Sequence, residues 1–333
     1  MRKLLYIAFL ANLIFAACTS EDIPGEKQED KNIEISLSIS DFKVSNTTSR
    51  STRATQVGSA EEQQITNLYL FLFDSGGAVE KYNVTGSTFT GGTWNATDAK
   101  VSLNLTQMAA ATRNVYVVAN YPNSMLGALD AVTTVAGLQA VVHNENTPWS
   151  TSIGAPILMS GNVNGHNFIT DRQLNNVALI RAVAKLELNI KLKAERQSTP
   201  TITEGIPGSG NQTTVHQYKY QFVNFDKNTY VLKPTTKTND LTSFTGWENI
   251  AGTSGEVASY ILTDGVVKGL KLTTYINERD VFDTTYPRSA VELSLPFISD
   301  GPLPPPEFGD EIYKLLLPAS IERNTWYVYD IEI

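Results

Sequence analysis

Ile33-Glu34-Ile35-Ser36-Leu37-Ser38-Ile39-Ser40 alternates apolar and polar residues without a break. Successive side chains of a strand point to opposite faces, so this spacing predicts a strand with Ile33, Ile35, Leu37 and Ile39 on one buried face. Similar signals recur downstream. Residues 65–73, centred on Leu68-Tyr69-Leu70-Phe71-Leu72-Phe73, run into the turn residues Asp74-Ser75-Gly76-Gly77. Val79–Val84 can return as their hairpin partner. Residues 101–105 alternate again, and 114–119 are a near-continuous apolar run of the kind a central strand uses. Only 125–142 has helical spacing, weakened at Thr133-Thr134-Val135 by β-branched residues.

Residues 156–161 and 176–192 complete the first half. Ala182 to Lys185 reads as helix or strand, but Leu186, Leu188, Ile190 and Leu192 alternate with Glu187, Asn189, Lys191 and Lys193, which favours strand. Residues 194–214 are polar and read as a long loop, and 45–53 contain no apolar residue at all and read as an exposed, flexible loop. Further strands are expected at 215–225, 257–262, 268–276, 290–295, 313–317 and 326–333, while Gly301-Pro302-Leu303-Pro304-Pro305-Pro306 must be loop, because proline cannot donate to a ladder. The expected fold is all-β: two β-sandwich domains of transthyretin-like, Greek-key type in series, with few short helices. Their bounds are 54–188 and 189–333, preceded by 1–17 as a signal peptide and 18–53 as a leader containing the strand 33–40.

The N-terminus points to export. Met1-Arg2-Lys3 is basic, and the apolar run that follows to Ala17 is too short for a bilayer, which takes about 20 residues. Phe15-Ala16-Ala17-Cys18 then places the single cysteine where a bacterial lipobox would lipidate it, with Phe15 in place of the usual leucine. The other reading is an ordinary signal peptide with Cys18 lost or left as a thiol. Acyl chains on Cys18 would contribute about 0.8 kcal/mol per buried CH₂, enough for an outer-membrane anchor. With Cys18 so used, no thiol remains for a disulfide, a zinc site or a nucleophile. The net charge of −8 and the lack of a basic patch argue against nucleic acid.

No catalytic constellation emerges, and no cofactor or metal is expected. His143, His166 and His216 have no second ligand at metal spacing and read as exposed polar residues. There is no nucleophile elbow and no Asp-x-Asp-x-Asp loop. Asp30, Asp41, Glu61 and Glu62 flank strands without converging in sequence.

Several segments, in order, resemble the fimbrillin family, the subunits of type V pili in Gram-negative gut and oral anaerobes. They are the lipobox-like Cys18, the loop Ser49-Arg50-Ser51-Thr52-Arg53-Ala54 ahead of the strand centred on Leu70, and Arg113-Asn114-Val115-Tyr116-Val117-Val118-Ala119-Asn120. Pro156-Ile157-Leu158-Met159-Ser160-Gly161, Leu179-Ile180-Arg181-Ala182-Val183-Ala184-Lys185-Leu186 and Arg323-Asn324-Thr325-Trp326-Tyr327-Val328-Tyr329 complete the set. The resemblance implies export as an outer-membrane lipoprotein, a cut by an arginine-specific surface protease after Arg53 (alternatively Arg50), and incorporation into a surface fimbrium. The strand 33–40 would then be a plug: once cut free it is held only by non-covalent contacts, and its loss opens an apolar slot for a strand from another pilus subunit. Family stalk subunits carry an extra C-terminal donor segment. Here the last predicted strand runs to Ile333, which suggests a tip subunit facing a ligand on a host or bacterial surface. The competing reading is a stand-alone glycan-binding lipoprotein that uses Trp94, Trp149, Trp247 and Tyr121 as stacking platforms.

Overall fold

The computed structural model describes residues 30–46, 55–144, 156–205, 213–234, 237, 240–242, 247–250, 257–280, 287–299 and 307–333. The chain is predominantly β. In order, its first half forms β1 (Asn32–Ile39), β2 (Phe42–Asn46), β3 (Thr55–Gln56), β4 (Leu68–Phe73), β5 (Val79–Val84), β6 (Thr88–Phe89), β7 (Gly92–Asn95), β8 (Lys100–Thr106), β9 (Thr112–Ala119), β10 (Val142–Asn144), β11 (Met159–Asn167) and β12 (Gln173–Arg181). The second half forms β13 (Val183–Lys191), β14 (Thr201–Gly205), β15 (Thr213–Gln217), β16 (Lys219–Val223), β17 (Phe225–Asp226), β18 (Asn228–Tyr230), β19 (Leu241–Thr242), β20 (Glu248–Asn249), β21 (Ala258–Thr263), β22 (Val266–Asn277), β23 (Ala290–Ser299), β24 (Glu307–Leu316) and β25 (Thr325–Glu332). The α-helices are short: Gln107–Ala110, Leu126–Asp130 and Val135–Gln139.

A nine-stranded sheet runs β5-β4-β9-β11-β12-β1-β8-β7-β6 among the described residues. Leu68, Leu70 and Leu72 of β4 share one apolar cluster with Ile33 and Ile35 of β1 and Val101 and Leu103 of β8. Strands four places apart in one sheet meet only if that sheet curls over its own face. The other face of β4 is covered as well: Tyr69, Phe71 and Phe73 pack with Met125, Leu129, Val132 and Leu138 from the helical segment. Burial on both faces explains why β4 is apolar at every position instead of alternating. The expected helix over 125–142 is two helices. Thr134 is extended, and its hydroxyl accepts from the Gly137 amide (3.0 Å), so the threonine step that weakens the helical pattern is an N-cap.

The stretch 176–192, read as one strand, is two. β12 lies in the nine-stranded sheet, and β13 lies in a six-stranded sheet ordered β21-β22-β13-β25-β2-β3. The chain changes sheets at Ala182, whose amide donates to Leu158 O (2.8 Å). A four-stranded sheet, β20-β16-β23-β24, packs on the six-stranded one. Leu186, Leu188 and Ile190 of β13, Leu270 and Leu272 of β22 and Tyr327 of β25 meet Phe222 of β16 and Leu293 and Leu295 of β23 in one cluster, as in a β-sandwich. By contacts, Asn32–Ile333 is one compact unit and not two discrete ones. The chain's N-terminal segment is part of the reason: β1 belongs to one sheet and β2, three residues on, to the other.

Candidate functional site: the N-terminal strand and its crossing between sheets

Strand β1 is an interior strand. It pairs parallel with β12 (Ile35 opposite Leu174, Leu37 opposite Val177) and antiparallel with β8 (Ile35 opposite Val101). Ile33 and Ile35 are 0% exposed and Leu37 7%, and Ile39 is partly buried against the same cluster, so the alternating face is buried over its first three positions and half-covered at the fourth. Additional backbone bonds run from Glu34 N to Arg172 O (3.0 Å), Leu37 N to Ala99 O (2.8 Å) and Ser40 N to Leu179 O (2.9 Å). The opposite face is pinned by polar contacts. Glu34 accepts from Arg172 Nη1 (3.0 Å), Gln173 Nε2 (2.8 Å) and Lys100 Nζ (3.3 Å), which tie it to both flanks of the slot. Burial by itself would raise the Glu34 pKa, but these donors outweigh it and hold the carboxyl below its ordinary value.

After β1 the chain crosses to the second sheet over Ser40-Asp41-Phe42. Arg181, at the end of β12, is 0% exposed. Its Nη1 donates to Ser40 O (2.8 Å) and Asn324 Oδ1 (2.9 Å), and its Nε to Glu62 O (3.1 Å). Phe42, also fully buried, lies with its ring centroid 4.0 Å from the guanidinium carbon and meets Trp326 edge-on (6.1 Å). Asn324 completes the clasp: its Nδ2 donates to Asp41 O (2.8 Å) and its carbonyl accepts from Lys43 N (3.0 Å). Strand β2 then runs parallel to β25, Lys43 opposite Thr325 and Val44 opposite Trp326.

The floor beneath this crossing comes from residues after position 54. Glu62, 1% exposed, accepts from Ser59 N (2.7 Å), Tyr275 Oη (2.5 Å) and Lys185 Nζ (2.9 Å). Burial pushes its pKa up, but the three donors together bring it below the ordinary value. For Arg181, burial disfavours the charged form while Glu62, Tyr275 and Asp41 favour it; the net direction is downward from 12.5, and an arginine stays charged there. Lys185 also lies over the Trp326 ring (3.9 Å).

The other residues singled out in sequence do not converge. Cys18, Arg50, Arg53 and Trp149 lie outside the described residues. Tyr121 is buried, bonded through its hydroxyl to Asn83 and edge-on to Tyr69 (6.0 Å), so it offers no stacking face. Trp94 is partly buried against the first-sheet cluster. His166 Nε2 donates to Asp171 O (2.9 Å). His216, expected to be exposed, is buried instead, between Asp310 (3.3 Å) and Glu204 (3.6 Å) and stacked on Phe308. Among the described residues no group of His, Cys, Asp or Glu could hold a metal ion. Sequence reasoning assigned no role to Arg181, Asn324 or Glu62. Two of them, Arg181 and Asn324, lie within family-like segments, and a charged or amide residue inside an otherwise apolar motif was the available signal.

Residues 33–251 match the family model of the major fimbrial subunit protein (FimA), and residues 182–332 that of the C-terminal part of the minor fimbrium tip subunit MfA4. The chain is 45% identical to the minor fimbrium tip subunit MfA4 of Porphyromonas gingivalis, over the whole of both chains. In fold it resembles the tip fimbrial protein Mfa3 of Porphyromonas gingivalis with a C-terminal truncation (14% identity, 90% of this chain and 94% of that one, TM-score 0.51). It also resembles a cell-adhesion candidate from Bacteroides eggerthii (16% identity, 91% and 87%, TM-score 0.51). A match of this extent establishes that the chain belongs to the fimbrillin family of structural fimbrial subunits.

Proposed function

We propose that this chain is an adhesive tip subunit that accepts a strand from a neighbouring subunit after its own β1 and β2 are released. The precursor is anchored in the outer membrane through lipid on Cys18. An arginine-specific protease cuts after Arg53, or after Arg50, and the segment ahead of the cut is then held by non-covalent contacts alone. Its departure opens the first sheet between β12 and β8 and uncovers the edge of β25. Refilling the slot provides the driving force: each of Ile33, Ile35, Leu37 and Ile39, or its replacement, contributes about 1.5–3 kcal/mol at most on burial. Exposed backbone groups on both flanks supply the directionality.

One observation carries this reading: β1 is an interior strand, paired on both sides, yet its link to the body of the chain contains Arg50 and Arg53. The placement at the tip is supported by β25, which stays paired with β13 after β2 has left and keeps Tyr327 and Tyr329 in the second core, and so is not a free donor. The relative named as a minor fimbrium tip subunit supports it too. On this reading 54–188 and 189–333 are two sandwich halves of one compact unit, and the change of apolar cluster between Val183 and Ala184 supports an earlier break. The ligand would lie on a host or bacterial surface.

The test is to treat the purified precursor with an arginine-specific protease and follow the products by N-terminal sequencing and gel analysis. The expected outcome is a chain beginning at Ala54 that captures a strand from a partner subunit, and loss of both events in the double variant Arg50→Ala/Arg53→Ala. If surface fimbriae carry this protein with residues 33–40 still attached, the mechanism fails.

A further inference from the structure

Resting on the strand-exchange reading, the geometry points to a specificity device: Arg181 selects the incoming strand by an aromatic ring at the place of Phe42. The slot between β12 and β8 reads apolar spacing and, at Glu34, one exposed-face carboxylate, features that many strands share. The crossing beyond it is more demanding.

Arg181 has a fixed floor and a removable roof. The floor is Glu62 O and Asn324 Oδ1, both from residues that remain after cleavage. It is tightly closed, since a Cβ on Gly58 would stand 2.6 Å from Arg181 Nη2. The roof is Ser40 O and the Phe42 ring, both from the segment that leaves. Loss of the roof leaves a permanently charged, largely desolvated guanidinium short of one acceptor and one ring face. Any extended strand can restore the carbonyl. Only an aromatic residue restores the ring, and a site built around such a group penalises a partner that lacks it.

The required pattern is readable from the occupant: apolar residues at four alternate positions, then an aromatic three residues after the last, as in Ile33, Ile35, Leu37, Ile39 and Phe42. No other window of the 333 residues carries this pattern.

The experiment uses the nicked full-length protein, with its own leader still seated, and measures displacement by labelled synthetic peptides spanning residues 31–46. The wild-type peptide should exchange in. Phe42→Leu, which keeps apolar bulk but removes the ring, should bind about tenfold more weakly, and Phe42→Ala about a hundredfold. In protein carrying Arg181→Met, the preference for Phe over Leu should shrink to less than about threefold. Equal binding of the Phe and Leu peptides to unaltered protein overturns the inference while leaving strand exchange intact, and it needs no folded variant. A tenfold preference persisting in Arg181→Met also overturns it, because the ring is then read by another group. If no peptide exchanges at all, the strand-exchange reading falls and this inference with it.

Discussion

The guanidinium carbon of Arg181 stands 4.0 Å from the centre of the Phe42 ring. Arg181 ends a strand of the first sheet and Phe42 begins a strand of the second, so this stacked pair marks the point where the leader passes from one sheet to the other. On the mechanism proposed above, the contact joins a residue that stays to a residue that leaves.

Because Ile35 is fully buried in an interior strand, Ile35→Ala in the uncut precursor should lower unfolding stability by about 2–4 kcal/mol. Chemical denaturation monitored by circular dichroism measures this directly. A change under about 0.5 kcal/mol would mean that β1 is not part of the folded core.

Gly58→Ala tests the floor of the Arg181 site. The new methyl would fall 2.6 Å from Nη2 and 3.1 Å from Glu62 Cβ, so the guanidinium must shift. A loss of about 1–3 kcal/mol is expected in the precursor, read as a lower melting temperature.

Glu62 gives the protein a specific acid sensitivity. Its folded-state pKa lies below the ordinary 4.5, so the ionised form favours folding. That contribution is fully present above the unfolded value and is lost as pH falls through the folded one. Stability of the wild-type precursor should therefore fall more steeply than that of Glu62→Gln between about pH 5 and pH 3. At neutral pH, Glu62→Gln should cost about 3 kcal/mol, since Lys185 loses its buried partner. Parallel slopes of stability against pH for the two proteins would refute the assignment.

Asn120 holds a left-handed backbone (φ 60°), and its side chain accepts from Thr66 N (2.8 Å) and donates to Gln64 O (2.7 Å) and Ile157 O (2.8 Å). Asn120→Ala strains the backbone and leaves those groups unmet, for an expected loss of about 2–4 kcal/mol by thermal or urea unfolding. Asn120→Gly, which relieves only the strain, should recover less than half of it.

Strand β25 offers the clearest separation of tip from stalk behaviour. It is paired along both sides and contributes Tyr327 and Tyr329 to the second core. Removing residues 327–333 should abolish soluble, folded protein. A truncated chain that folds and still accepts a strand would show that β25 is dispensable and free to donate.

Local pattern determined a good deal of this protein. Period-two alternation placed β1 and β8 and much of β13, and turn residues at 74–77 announced the β4–β5 hairpin, because each signal depends only on neighbours along the chain. The bend at Ala182 escaped such a reading: Leu179 and Leu186 lie on strands of different sheets although no glycine, proline or other turn residue interrupts the run between them. Strand β2 escaped it too, since a segment as short as 42–46 becomes a strand by pairing with β25, nearly three hundred positions away. The same distance hid the site. Arg181, Asn324, Glu62 and Phe42 are scattered in sequence, and what each one does is set by through-space charge, hydrogen bonding and burial. Sequence alone determined that residues 33–40 form a buried-face strand; only the tertiary structure decided that the N-terminal segment spans two sheets and is clasped by a buried arginine where it crosses.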